Sequence, residues 1–455
     1  MTISSSSALG PAVDPVTQRN SLSAPSTSSV PDSAIAAPAS SVSPPPSVIV
    51  TLSGATTAPP PIVYSPAPYT PPPVWQDASL AVKTASGRTL TLGLPGNGGD
   101  MVVEADGDAP LSDAETAAIG MLSKAFKSAL DGMASAPPRL DLTGLAQLDP
   151  SVLRSVHLTA QASDSHQMVQ TIEFTADATS RSVKIDGPAG KIDVSVDLST
   201  PAFAGSKAQQ ASAIDNYLKQ FDRAAARGHA DRELMSVFKS AFTQMNAPAG
   251  ADTPTLTRPV SWLSDTDHSL LSGLADFNAS ITQTPTASNP YRSDERDGFT
   301  FQVAQTTRMS GRDPSERSIA QTSSSQLHAS YHSAIWADSP LHLTEDPRSQ
   351  NYYFTQIDDS ARSDMSIGYR KGKLVQAQLD RTASQNTEVS KFIMGRKVED
   401  VTTPLHRTQQ RDLLSMLTDM ERHPPQTAKE RDARTRDLAT LHASVGLQSD
   451  PVGLA

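Results

Sequence analysis

Ser155–Ser199, SVHLTAQASDSHQMVQTIEFTADATSRSVKIDGPAGKIDVSVDLS, decides the fold. Its apolar side chains recur with a period of two: Val156, Leu158 and Ala160; Val169 running to Phe174; Val183 and Ile185; Ile192, Val194 and Val196. Successive side chains of a strand point to opposite faces, so this period marks four strands with one face on a core and one toward water. The breaks are Ser163-Asp-Ser165, Asp177-Ala-Thr-Ser180 and Gly187-Pro-Ala-Gly190. Such short connections join antiparallel neighbours, and the stretch reads as a β-meander.

On its N-terminal side, Leu80, Val82 and Thr84 alternate, as do Leu90, Leu92 and Leu94, around Ser86-Gly87-Arg88, which predicts a hairpin in a chain ordered from about Ser79. Ser112 followed three residues on by Glu115 is a capping box. Ile119, Leu122, Phe126, Leu130 and Met133 then form one helical stripe that Pro137-Pro138 stops. Leu142–Leu148 reads as one more short helical turn.

On the C-terminal side an αα-hairpin is expected. Ile214, Tyr217, Leu218 and Phe221 lie on its first helix, which ends at Arg227-Gly228. Leu234, Val237, Phe238, Phe242 and Met245 lie on the second, with Asp231 as N-cap. Five prolines interrupt residues 247–297, where Trp262-Leu263 and Leu270–Phe277 read as a docked short helix. A second β-rich stretch carries Phe299, Phe301 and Val303, then Leu327 to Tyr331, Tyr352 and Phe354, and a hairpin over Met365–Leu379 turning at Lys371-Gly372. Thr403-Pro404 supplies cap and first residue of a helix through Met420, and another helix covers about 427–443. The fold class is therefore α+β, antiparallel meanders packed with helices. The expected organisation is a leader over 1–76, an α+β domain over 77–246, a linker or docked loop over 247–297, and a β-rich segment with C-terminal helices over 298–455. The last is either continuous with 77–246 in one sheet or a second domain.

The leader holds sixteen Pro and sixteen Ser, one Arg, two Asp and no Lys. It cannot bury enough apolar surface to offset the entropy of ordering, and is expected to be disordered. Pro44–Pro46, Pro59–Pro61 and Pro71–Pro73 favour a stiff polyproline spacer. Between two of these triplets lies the β-prone run Ser47–Leu52, able to add to a sheet edge. The 455-residue chain carries a net charge of −10, which disfavours nucleic acid as a partner. It has no cysteine, which excludes disulfides, thiolate metal sites and Cys nucleophiles. There is no stretch apolar enough for a membrane span, and Met1-Thr2-Ile3-Ser4 lacks a basic n-region and an apolar h-region. The protein is accordingly placed in the cytoplasm or outside the cell without a Sec signal, and not in the membrane.

No catalytic residue, cofactor or metal is assigned. Two weak metal candidates stand out. Glu104, Asp106, Asp108 and Glu115 imitate the carboxylate spacing of a calcium loop, but Ala109 stands where the turn needs Gly, Pro110 follows, and the set reads as a solvated acidic loop. His328, His332 and His342 form the one local histidine cluster, yet His328-Ala-Ser-Tyr-His332 lacks the Glu of a zinc-protease helix. Gly187-Pro-Ala-Gly190-Lys191 leads into a strand and not a helix, so it reads as a turn and not a phosphate loop.

In composition, residues 1–76 resemble the N-terminal signals of bacterial type III secretion substrates: Ser-rich, poor in charge, uncleaved. The resemblance implies export by a non-Sec route and is confined to the leader. The expected function is that of a non-catalytic bacterial protein that binds another protein through a sheet edge or the αα-hairpin. An enzyme with a site near His328–His342, and an intracellular structural or scaffolding component, are the alternatives.

Overall fold

The structure is a computed structural model that describes residues 74–95, 102–106, 110–163, 169–248, 263–336 and 340–454. The Ser/Pro-rich run up to residue 73, with its PxxP and Ser47–Leu52 segments, lies outside the described residues. Strand structure extends further toward the N-terminus than Ser79. Strand β1 (Val74–Thr84) already includes Trp75, whose indole N–H donates to the Leu130 carbonyl at 3.0 Å. The alternation that marks the start at Ser79 misses this stretch because the strand shifts register between Trp75 and Asp77.

β1 pairs with β2 (Thr89–Pro95), and β2 with β3 (Val102–Ala105). Across the other side of β1 lies the meander β4 (Leu153–Ser163), β5 (Val169–Asp177), β6 (Ser180–Gly187) and β7 (Gly190–Asp197). It continues through β8 (Asp276–Gln283), β9 (Gly298–Ser310), β10 (Ser318–Ala334), β11 (Tyr352–Arg370), β12 (Lys373–Ile393) and β13 (Arg396–Asp412). Among the described residues these thirteen strands make one antiparallel sheet whose two edges are β13 and β3.

The register aligns one row of side chains across the sheet: Leu92, Leu80, Leu158, Phe174, Val183, Val194, Ala279 and Val303, then Ser325, Ala361, Ala383 and Arg407. This row marks the inner face, on which the helices pack. α1 (Asp113–Met133) starts at the Ser112–Glu115 capping box and buries Ile119, Leu122, Phe126, Leu130 and Met133. α2 (Thr143–Ala146) is the short turn after it. α3 (Lys207–Gly228) and α4 (Arg232–Met245) form the αα-hairpin, and their buried aromatics join the same core as the meander. α5 (Asp265–Leu270), α6 (Leu414–Arg422) and α7 (Ala428–Val445) share a second core with Ile319, Met365, Ile367 and Leu379.

Two local readings need correction. Residues 276–283, within the stretch read as a docked helix and Pro-interrupted segment, are strand β8 between β7 and β9; Trp262 lies outside the described residues, among which a helix in this stretch occupies only Asp265–Leu270. Residues 403–412 are not helical: Pro404 sits inside β13, and the helix begins only at Leu414. An edge strand has one side free of ladder bonds, so it tolerates the missing N–H of a proline.

The β11–β12 turn falls at Lys371-Gly372 as expected, and β12–β13 turns at Met394-Gly395. All four residues have positive φ, the geometry a two-residue hairpin needs. β13 is exposed along nearly all of its 17 residues. Pro404 together with Arg396, Lys397, Arg407 and Arg411 makes this long edge a poor template for pairing with another chain. Among the described residues, no helix is long and apolar enough to cross a membrane.

Candidate functional site

The αα-hairpin presents a broad concave surface. The Ser206 hydroxyl accepts from the Gln209 N–H while the Gln209 side chain accepts from the Ser206 N–H, fixing the start of α3. His229, at φ +53°, closes that helix in the left-handed conformation one residue after Gly228. The Asp231 carboxylate then caps α4 through the Leu234 N–H at 2.8 Å. One face of each helix is spent on the core: Phe221 touches Phe238, Phe242 and Phe301 with ring centroids 5.0, 5.0 and 5.6 Å apart. The other faces enclose an open groove of about 940 Å³. Leu218, Ala225, Ala226, Met235 and Ser236 line it, and Lys239 crosses it to Asp222 at 2.6 Å.

The histidines do not converge. His328 is exposed and faces Asp358 on β11 at 3.5 Å, while His342 is exposed on the following loop. His332 lies four residues along β10 from His328, roughly 13 Å at strand rise, and its side chain is fully buried. Its Nδ1 lies 2.6 Å from Asp297 and its Nε2 3.1 Å from Glu295. The Tyr352 hydroxyl donates to the same Glu295 oxygen at 2.6 Å, and Tyr352 stacks on Phe392, over which Arg292 lies at 4.6 Å. Burial opposes the charge on His332, but the hydrogen bonds and attraction of Asp297 and Glu295 outweigh it and raise its pKa. Burial likewise opposes charge on Asp297, and its bonds to His332 and Ser288 prevail, lowering its pKa. Both imidazole nitrogens are thereby committed to carboxylates. The arrangement fastens the loop over residues 288–297 to the outer face of the sheet, holding β10 and β11 together there.

The three described candidate carboxylates also separate. Glu104 lies exposed on β3, Asp106 is exposed beyond it, and Asp108 is outside the described residues. Glu115 turns inward: it accepts from the Ser86 hydroxyl at 2.6 Å and from the Ser112 N–H and hydroxyl, each at 2.9 Å. These bonds, that from Ser86 foremost, hold its pKa down at about 2. Among the described residues no group of three His, Asp or Glu is placed to hold a metal ion. Gly187 and Gly190 pair across the β6–β7 turn.

Sequence reasoning missed two ion pairs that join distant elements, one half-buried and one buried. Arg227 of α3 meets Asp359 of β11 through two bonds of 2.5 and 3.0 Å, and Arg317 donates to fully buried Asp267 at 2.6 Å beneath the Tyr369 ring. Each joins positions far apart in the chain, and only the packing of a helix, α3 or α5, against the sheet brings them together. No protein-family model, curated protein sequence or solved structure matches this chain.

Proposed function

We propose that the chain is a non-catalytic, protein-binding bacterial protein that takes its partner in the α3–α4 groove and leaves the cell by a non-Sec, type III-like route through residues 1–76. The groove carries the reading: about 940 Å³ of open space lies along two helices whose opposite faces are already buried. A partner's amphipathic helix would set its apolar residues against Leu218, Ala225 and Ala226 and its charges against Asp222 and Lys239. The sheet edge is the weaker docking surface, because Pro404 and four cations blunt β13.

The cysteine-free chain suits a direct test. Ser236→Cys places a single thiol on the exposed groove wall. A photo-cross-linker attached there should capture one defined protein from infected or co-cultured cells, and Ala226→Arg should abolish capture without moving the unfolding midpoint. Equal capture from a thiol on the outer face, as in Ser324→Cys, would reject the groove. Export is tested by comparing full-length and Δ1–76 protein in the culture medium with and without a working type III apparatus. Retention of both forms inside the cell would reject that part of the proposal.

A further inference from the structure

The inner face of the sheet changes character along one register row. Leu90, Val82, Val156, Ala176, Arg181, Val196 and Phe277 are followed by Gln305, Ser323, Ser363, Arg381 and Gln409. Most of this polar band is satisfied internally. The Tyr217 hydroxyl bonds Ser323 at 3.2 Å, Gln305 donates to the Leu274 carbonyl at 3.2 Å, and Gln321 donates to Thr307 at 2.9 Å. Toward the β13 edge the band opens into a cavity of about 380 Å³. Lys219 and Arg223 of α3, Arg381 of β12 and Arg411 of β13 line it, with Gln409 beside them and no acidic side chain in the wall.

Four cations converging without a carboxylate are out of keeping with a chain of net charge −10. Lys219 shares its charge with exposed Asp215 at 2.6 Å. Arg381 donates to the Ser444 and Gly446 carbonyls at the end of α7, the latter at 2.8 Å, and to Gln409 at 3.5 Å. Its Nε is buried with no partner, and burial with the nearby Arg411 brings its pKa down to about 10. Among the described residues, the side chains of Arg223 and Arg411 have neither ion pair nor hydrogen bond. Arg223 is exposed and Arg411 half-buried, so both heads are open to a ligand, and like charge crowded around Arg381 favours an anion among them.

We infer that this cavity binds a phosphate group, with Arg223 and Arg411 as its free forks, Arg381 as the fixed donor and Lys219 at the rim. Guanidinium forks match phosphate oxygens bidentately, and a multiply charged oxyanion balances the set better than one carboxylate. Arg223 also borders a second cavity of about 240 Å³ lined by Ser325, Gln385 and Ser449 and by the carboxylates of Asp359 and Asp450, which would repel a second phosphate but accept from the hydroxyls of an ester's remainder.

The test is calorimetric titration of the full chain with inorganic phosphate, inorganic pyrophosphate, glycerol 3-phosphate and citrate at constant ionic strength. The phosphates should bind in preference to citrate. Arg223→Gln and Arg411→Gln should each weaken them about tenfold or more, in line with a lost charge-assisted bond, while leaving the unfolding midpoint of the ligand-free protein unchanged. Tighter binding of the ester places its remainder in the second cavity, and tighter binding of pyrophosphate keeps the ligand in the first; either supports the site. Equal binding of citrate, or binding that survives both substitutions, would overturn it. Neither substituted residue lines the α3–α4 groove, so the outcome is independent of partner capture there.

Discussion

The two ends of the sheet share one backbone pattern and differ in what they bury. In β4–β7 the inward positions, Arg181 apart, are apolar, among them Val156, Leu158, Ile172, Phe174, Val183, Ile185, Ile192 and Val194, all nearly inaccessible. In β10–β12 the same inward parity carries Gln321, Ser323, Ser325, Asp359 and Ser363 before it turns apolar again at Ile319, Met365, Ile367 and Leu379. The first region is held by the non-directional gain of removing apolar surface from water. The second is held by hydrogen bonds and ion pairs whose net worth is small but whose disruption is costly. A polar band of this kind divides the interior into two apolar clusters, and it tells where the chain spends stability on something other than its core.

The largest expected effect separates these two kinds of cohesion. Phe221→Ala removes a fully buried ring from contact with four other aromatics and should cost about 3–5 kcal/mol. Ser323→Ala, in the polar band, should cost about 1 kcal/mol, the net value of its bond to Tyr217. Urea midpoints of the two variants check this; equal losses would show that the band is as much a core as the meander.

Asp267→Ala should rank close behind Phe221→Ala. Its carboxylate receives Arg317 at 2.6 Å and the Tyr369 hydroxyl at 2.9 Å, and it closes the capping box of α5 with Ser264. Leaving Arg317 buried without its partner should cost about 3–5 kcal/mol. The double replacement Asp267→Leu with Arg317→Met should recover much of the loss. Failure to recover would mean that the pair contributes stability beyond the penalty of breaking it.

This contrast also governs how much could be read from the chain. Where the inward positions are apolar, the alternation gave the meander, the β1–β2 hairpin, the capping box of α1 and both helices of the hairpin at or near their observed bounds. Strand β8 carried a legible signal in Phe277, Ala279 and Ile281, which the prolines around it obscured. β13 carried almost none: a strand exposed on both faces has no reason to alternate, and Thr403-Pro404 offers a convincing helix start in isolation. The histidine cluster was visible as a run of residue types, but not that one imidazole would be buried between Glu295 and Asp297. Arg381 and Arg411 are neighbours only through the β12–β13 register, and Lys219 and Arg223 join them only through the packing of α3, so no spacing in the sequence could announce the cation-lined cavity.

A smaller effect distinguishes the polar contacts by pH. His332 has its pKa raised in the folded state, so its contribution is fully present below its ordinary value of 6.5 and is lost as pH rises through the higher folded value. Asp297 has its pKa lowered, so its contribution is present above the ordinary 3.8 and is lost as pH falls through the lower folded value. Stability from this cluster should therefore be greatest between those two ordinary values. His332→Gln should flatten the alkaline decline in unfolding midpoint, whereas Phe221→Ala should lower stability by the same amount across that range.

The smallest expected effect compares two helices with the same start and different faces. α1 and α7 both begin with a capping box, Ser112 with Glu115 and Thr427 with Glu430. Eight residues of α1 are buried along its whole length, whereas α7 buries Leu441, His442 and Val445 at its far end and leaves its first turns in water. Replacing a capping hydroxyl by alanine costs about 1 kcal/mol where helix formation is coupled to global folding. Ser112→Ala should therefore lower the global midpoint by that amount. Thr427→Ala should leave the midpoint in place and speed hydrogen exchange only in the first turns of α7, because nothing buried depends on them. A global loss from Thr427→Ala would show that the charged face of α7 is held by the body of the protein, and that the second region is more cohesive than its burial pattern implies.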